Sequence, residues 1–281
     1  MKIGIVGYGF VGKALEAGIK NDVEVKRIDP KLSSTISELN EFHPDLVFVC
    51  VPTPMVNDNS QDISIINKVS EELAELRNNP LIVIKSTILP NHIKNIEKII
   101  KKVIYNPEFL REKHAKEDFI NSSFIIFGGS EKYCIELSNF YKNHTNCIAD
   151  EYIYTDLISA SLIKYTINSF LATKVIFFNE INRLFQISGA EDSWDNFIKA
   201  VSKDKRIGSS HMDVPGNDGR LGFGGACFPK DINALSIYSD DIGVSLELLK
   251  KVISTNNNIR AKYNNPTERE KEQNIDFKGD S

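Results

Sequence analysis

The chain has 281 residues, 41% of them apolar and 26% charged, with 34 basic against 38 acidic side chains and a formal net charge of −4. This is the make-up of a soluble globular protein of one or two domains. No basic stripe marks it for nucleic acid or an anionic membrane, and no apolar run approaches the ~18 residues of a membrane span.

The opening MKIGIVGYGF has no small-residue cleavage site and reads as a strand and turn rather than a signal peptide, so a cytoplasmic protein is expected. Strand-like apolar runs follow at 2–6, 23–28, 46–51, 81–84, 103–105 and 124–127. Helical patterns at 11–20, 63–77 and 93–102 lie between several of them. Strands alternating with helices imply parallel strands joined by crossovers, hence a doubly wound α/β sheet. Near Asp150 the pattern changes. Residues 155–187 contain no glycine or proline and are apolar on more than one face, which predicts a long helix at a domain centre or a subunit interface. A shorter helix at about 192–202, a glycine-rich loop, and helices around 232–239 and 246–260 follow. From Asn264 the chain turns polar and is expected to be a mobile tail. The expected organisation is a sheet domain over 1–150, an all-helical domain over 151–263 and a tail over 264–281.

Cys50, Cys134, Cys147 and Cys227 are far apart with no CxxC pair, so neither a disulfide framework nor a zinc site is indicated. His144 and Cys147 are three apart, but two potential ligands do not make a metal site, and no metal is expected.

KIGIVGYGFVG sets Gly7, Gly9 and Gly12 directly after a strand and at the start of a helix, with Tyr8, Phe10 and Val11 between and beside them. Three glycines so placed serve a tight turn, close backbone approach to a pyrophosphate, and close helix–strand packing. The helix N-terminus offers N–H groups and a positive dipole end to the phosphates. Asp29 follows 20 residues after Gly9, at the end of the second strand. An acid there accepts from ribose hydroxyls and repels a 2′-phosphate, which favours NAD over NADP. Arg27 and Lys31 flank it and could accommodate a phosphate. The alternative is a glycine-rich turn with no cofactor. The fold expected is therefore a Rossmann-like doubly wound sheet followed by a helical domain with one long helix.

Further motifs fall where strand ends meet a cofactor in open α/β sheets. They are VCVPTP, with Val51, Pro52 and Thr53; KST, with Ser86 and Thr87; and NPEFLRE, from Asn106 to Glu112. KYTIN carries Lys164 and Asn168 on one face of the long helix, and RIGSSHMDVPGNDGRLGFGGACFPKD runs from Arg206 to Asp231.

In this order the words resemble the UDP-glucose/GDP-mannose dehydrogenase family, from Met1 to about Arg260. The resemblance implies oxidation of a nucleotide-sugar primary alcohol to a carboxylate, with two NAD consumed and a product such as UDP-glucuronate. It also implies roles. Cys227 matches the nucleophile that forms a thiohemiacetal and then a thioester. Lys164 and Asn168 match the groups that steady the oxyanion, and Asp231 the carboxylate that orders water and handles protons. Glu112 and Thr87 would hold or activate water. Glu108, Phe109, Leu110, Arg111, Phe223 and Gly224 would line the substrate, Lys230 would reach the cofactor, and Arg206 would reach the sugar end, often across a dimer interface. A homodimer through helix 155–187 is expected.

Each residue has a plainer reading. A cysteine is most often a buried hydrophobe, which is the reading taken for Cys50, Cys134 and Cys147. Acids four apart, as Glu108 and Glu112 are, often form a solvated helix face. The sequence departs from the family in having Lys113 where a small residue is common, and in stopping at Ser281 where members usually continue into a nucleotide-binding domain. Weak affinity for the nucleotide is therefore expected. The same chemistry on another sugar, or a non-catalytic NAD-binding remnant, are the alternatives; a hydroxyacid dehydrogenase would not need the thiol.

Overall fold

The computed structural model describes residues 1–56 and 58–279. It divides into two compact units, one of residues 1–53 and 62–164, the other of 54–61 and 165–281.

The first unit is built on seven strands: β1 (Lys2–Val6), β2 (Glu24–Ile28), β3 (Leu46–Val49), β4 (Leu81–Ile84), β5 (Val103–Tyr105), β6 (Phe124–Gly129) and β7 (Glu151–Thr155), in the order β2-β1-β3-β4-β5-β6-β7. Helices α1 (Phe10–Gly18), α2 (Leu39–Phe42), α3 (Ser64–Ala74), α4 (Pro90–Ile99), α5 (Ala115–Ile120) and α6 (Glu131–His144) connect them. Side chains alternate across the strands with period two. Val47 and Val49 enter one core, with Ile66 and Leu73 of α3 and Ile93 and Ile96 of α4. Leu46 and Phe48 enter the other, with Leu15 of α1, Phe119 of α5 and Leu137, Phe140 and Tyr141 of α6. Helices on both faces are why β3 and β4 read as uninterrupted apolar runs.

Three expectations need correction here. The sheet is not wholly parallel: β5 and β6 pair antiparallel, and β6 and β7 then run parallel to each other. The 105-to-124 connection holds only a 3₁₀ turn (Glu112–His114) and the six-residue α5, and it returns the chain to the same end of the sheet. The sheet also does not stop at residue 150. Among the described residues β7 forms its edge, paired with β6. The division between units falls within the long helix rather than ahead of it.

That helix, α7 (Leu157–Ile187), runs from the first unit into the second. The second unit adds α8 (Trp194–Val201), α9 (Phe228–Asp241), α10 (Glu247–Arg260) and α11 (Glu268–Glu272). α11 overturns the expected tail, as far as residue 279. Thr267 and Glu270 close a capping box at its start, Glu270 is fully buried, and Ile275 is buried as well. The charged composition hides a segment anchored by a buried ion pair, Arg260 with Glu270. Among the described residues, no helix is long and apolar enough to cross a membrane.

Candidate active site

In the first unit the chain leaves β1 through Gly7, whose φ is +89° and where an added Cβ would lie 2.7 Å from the carbonyl of Cys50. A Cβ on Gly12 would lie 2.5 Å from the carbonyl oxygen of Gly7. Gly9 is different in kind: it has an ordinary φ of −80°, and a Cβ there would meet nothing within 4 Å. Gly9 is also the N-cap of α1, with no side-chain cap and no acid in the first turn. A helix start with no side-chain cap beside an unobstructed glycine is the arrangement that suits a phosphate. Tyr8 donates its backbone N–H to Asp29 Oδ2 at 2.7 Å, and Lys31 donates its own to Asp29 Oδ1 at 2.8 Å. Asp29 therefore braces the turn.

Arg27 is not turned toward Asp29. It forks onto Glu16 of α1, with Nε to Oε2 at 2.9 Å, and the Tyr8 hydroxyl donates to the same carboxylate. Desolvation works against the charge of Glu16, but the hydrogen bonds from Arg27 and Tyr8 outweigh it and hold the carboxyl below its ordinary range. The loops beyond β3 and β4 are tied together. Ser86 Oγ donates to the Val51 carbonyl at 2.7 Å, and Thr53 Oγ1 to the Thr87 carbonyl at 2.9 Å. Val51, Pro52, Thr53, Ser86 and Thr87 are thereby set at the carboxyl ends of neighbouring strands.

Beyond β5 the 106–110 segment is fixed by a buried polar cluster. Asn106 Oδ1 accepts from Lys85 Nζ at 3.0 Å and from the Tyr141 hydroxyl at 2.6 Å, and its Nδ2 donates to the Ile126 carbonyl at 3.0 Å. Burial pushes the Lys85 ammonium down from its usual range. Glu108, also buried, accepts from the Leu110 N–H at 2.6 Å. Lys164 donates to the Glu108 carbonyl, stands 3.7 Å from Glu108 Oε1, and lies 5.0 Å from the centre of the Phe109 ring. It is a buried cation with a carboxylate and an aromatic face for partners. Arg111 is turned onto Asp118 at 2.7 Å, and Glu112 and Lys113 are exposed.

In the second unit Cys227 occupies the N-cap of α9 and is half-buried. Pro229, which suits the first turn of a helix, and Lys230 and Asp231 follow. Asp231 is 1% exposed. Its Oδ2 accepts from Asn168 Nδ2 at 2.6 Å, its Oδ1 pairs with Lys230 Nζ at 2.5 Å, and its N–H donates to the Cys227 carbonyl at 2.9 Å. Phe223 is bonded in both directions to Asn256 of α10. Arg206 is exposed and paired with Asp204 at 2.6 Å. Lys174, on α7, donates to the carbonyls of Ile207 and Gly208 at 2.9 and 3.3 Å, holding the loop that carries Arg206, and burial pushes its ammonium down.

Residues 13–145 match the NAD binding domain of the UDP-glucose/GDP-mannose dehydrogenase family, and residues 158–258 match that family's central domain. The chain belongs to this family. It is 39% identical over 220 residues to the UDP-glucose 6-dehydrogenase of Rickettsia bellii (strain RML369-C), covering 75% of this chain and 49% of that protein. It is 32% identical over 269 residues to a UDP-glucose 6-dehydrogenase of Bacillus subtilis (strain 168), covering 89% of this chain and 57% of that one. The chain thus spans about half the length of these curated relatives. Among solved structures, a UDP-glucose dehydrogenase from Pyrobaculum islandicum superposes with a TM-score of 0.76 at 27% identity, over 91% of this chain and 67% of that chain. A 3-hydroxyisobutyrate dehydrogenase from Mycobacterium tuberculosis shares the fold, with a TM-score of 0.70 at 17% identity over 89% of this chain and 90% of its own.

The expected site residues of this family member divide by unit. The glycine turn, Asp29, the two strand-end loops, Glu108–Glu112 and Lys164 belong to the first; Asn168, Arg206, Phe223, Gly224, Cys227, Lys230 and Asp231 belong to the second. The Lys164–Glu108 and Asn168–Asp231 pairings join residues 56 and 63 apart in sequence. Lys230, expected at the cofactor, is engaged with Asp231, and Arg111, expected at the substrate, with Asp118. The sequence reading placed Lys85 and Asn106 in its KST and NPEFLRE motifs without giving either a role, and it missed Tyr141, Asn256, Arg260 and Glu270. Asn256 and Arg260 did carry a signal. They continue the buried stripe of Leu249 and Val252 along α10, where polar residues need a buried partner.

Proposed function

We propose that this chain catalyses NAD-dependent, four-electron oxidation of a nucleotide-sugar primary alcohol, UDP-glucose, to the carboxylate. The observation that carries the reading is the Cys227 constellation: a half-buried thiol at a helix N-cap, four residues before a buried carboxylate shared by Lys230 and Asn168. A merely structural cysteine needs no such charged neighbours.

Gly9 and the uncapped start of α1 would hold the pyrophosphate of NAD, and Asp29 the ribose hydroxyls. NAD bound there would supply the hydride acceptor, and four-electron oxidation would consume two NAD in succession. The first step removes a hydride from the carbinol carbon and passes the hydroxyl proton to water ordered by Asp231. Cys227 sulfur then bonds to the aldehyde carbon and the carbonyl oxygen takes up the thiol proton, giving a thiohemiacetal. Loss of a second hydride and of the hydroxyl proton leaves a thioester. Water attacks it, the C–S bond breaks, and Cys227 recovers its proton. Lys164 and Asn168 stabilise negative charge on the substrate oxygen, and Glu112 and Thr87 hold water. The N–H groups at the head of α9 favour negative charge on the sulfur.

The substrate class fits a panel of sugar nucleotides assayed for NADH released per molecule oxidised; two per UDP-glucose is expected. Cys227→Ser is expected to abolish full oxidation, by about 10³-fold or more, while NAD binding is retained. Carboxylate formation at the wild-type rate in Cys227→Ser overturns the thioester route. Four cysteines outside any disulfide suit a reducing compartment, and we place the protein in the cytoplasm.

A further inference from the structure

The loop ahead of Cys227 rests on a buried ion pair that the chemistry above does not use. Arg260, the last residue of α10, has a side chain that is 0% exposed, as does Glu270 of α11. Arg260 Nη2 donates to Glu270 Oε1 at 2.7 Å, and Nη1 to Asp218 Oδ2 at 2.7 Å. The same Glu270 Oε1 accepts the backbone N–H of Gly225 at 3.2 Å. Gly224 lies flush on the pair: a Cβ there would fall 2.2 Å from Arg260 Nη2 and 2.3 Å from Glu270 Oε1. One turn earlier in α10, Asn256 fastens Phe223 from both sides. The Phe277 ring covers the guanidinium at 5.3 Å.

Stability alone is a poor account of such an arrangement. An apolar replacement of similar shape serves stability as well, whereas a buried pair fixes geometry, because each charge must find its partner in one place. Here that place is against the backbone of residues 224 and 225, three and two positions from the thiol. We propose that Arg260 and Glu270 are positioning residues for Cys227: their ion pair clamps the 223–225 loop and so sets where the sulfur stands at the head of α9. The catalytic consequence rests on the reading of Cys227 as the nucleophile; the clamp itself does not.

The test uses the full chain and variants Glu270→Ala and Glu270→Gln. Its first readout is the alkylation rate of Cys227 by iodoacetamide at pH 8, mapped by mass spectrometry, with Cys147 in the first unit as internal reference. Releasing the loop is expected to speed Cys227 at least threefold in Glu270→Ala, with Cys147 unmoved. Glu270→Gln keeps an acceptor for Arg260 and Gly225, so a smaller rise is expected, and it decides the matter if the alanine variant does not fold. The second readout is NADH per UDP-glucose. A displaced thiol lets the aldehyde escape, so the ratio is expected to fall from two toward one with the first oxidation retained; a merely structural loss lowers both oxidations alike. An unchanged Cys227 rate in a folded variant, or Cys227 and Cys147 rising together, overturns the clamp. If the wild-type chain does not oxidise UDP-glucose, the functional reading falls while the alkylation comparison still decides the clamp.

Discussion

The four cysteines differ by surroundings more than by chemistry. Desolvation around the Cys50 sulfur pushes its thiol up to about 12, and burial pushes Cys134 up to about 11. Only the thiolate is nucleophilic, so a raised value means less reactive form at a given pH. At pH 8 the thiolate is about one part in 10⁴ for Cys50 and one in 10³ for Cys134. Cys227 is therefore expected to be alkylated first in the native protein, with Cys50 and Cys134 slower by tenfold or more. The rate at Cys50 should then rise about tenfold per pH unit, which a peptide-mapped time course at pH 8 and 9 measures. Labelling of Cys50 alongside Cys227 would contradict this. Arg27 shows the same dependence on neighbours. Exposed pairs such as Arg27–Glu16 add little stability, but this one holds the guanidinium on α1. In Glu16→Gln, Arg27 is expected to become available to a 2′-phosphate. The ratio of NADP to NAD affinity should rise by roughly three- to tenfold without a change in melting temperature, as titration with each nucleotide would reveal.

The turn between β1 and α1 separates two uses of glycine that the motif alone runs together. Gly12→Ala puts a methyl 2.5 Å from a carbonyl oxygen and is expected to cost about 2 kcal/mol or more of folding stability. Gly9→Ala meets no protein atom, so it should melt like the wild type yet lose NAD affinity by about tenfold, or ~1.4 kcal/mol. Melting curves paired with NAD titrations read both, and a Gly9→Ala protein that binds NAD normally would move the pyrophosphate elsewhere. This element was legible because three local requirements fall within six residues. The central strands were legible because burial on both faces leaves only apolar side chains. β7 was not: EYIYT is a half-exposed edge strand, and nothing in it marks the antiparallel turn of β6. α6 hid its buried Leu137, Phe140 and Tyr141 among charged residues, although its Cys134 was read as buried. α11 was out of reach for a different reason. Glu270 is acceptable inside the protein only because Arg260 is there, and composition counts it as one more solvated charge.

The long helix bears on assembly. Its buried side carries Lys164, Asn168 and Lys174, while Leu162, Phe170, Phe177 and Leu184 are exposed. The last three are spaced by seven, and seven residues fall about 20° short of two full turns, so they form one stripe. Aligned exposed apolar side chains mark an interaction surface, and a stripe meeting its own copy about a two-fold axis gives a closed dimer. We therefore expect a homodimer through α7, and Phe177→Glu with Leu184→Glu should weaken it about a hundredfold, ~2.7 kcal/mol, giving monomers in sedimentation at micromolar concentration. Such a dimer would give Arg206 a use. Its side chain is 89% exposed and paired with Asp204 beside the Lys174-bound loop, a placement that would suit serving a partner subunit's substrate. Complementation decides this. Cys227→Ser and Arg206→Ala homodimers should each be nearly inactive. Mixed in equal amounts and allowed to exchange, half the dimers are hybrids, and each hybrid joins an intact Cys227 from one chain to an intact Arg206 from the other at one of its two sites. About a quarter of wild-type activity should return. If Arg206 acts on the thiol of its own chain, every site in every hybrid keeps one lesion and the mixture stays inactive.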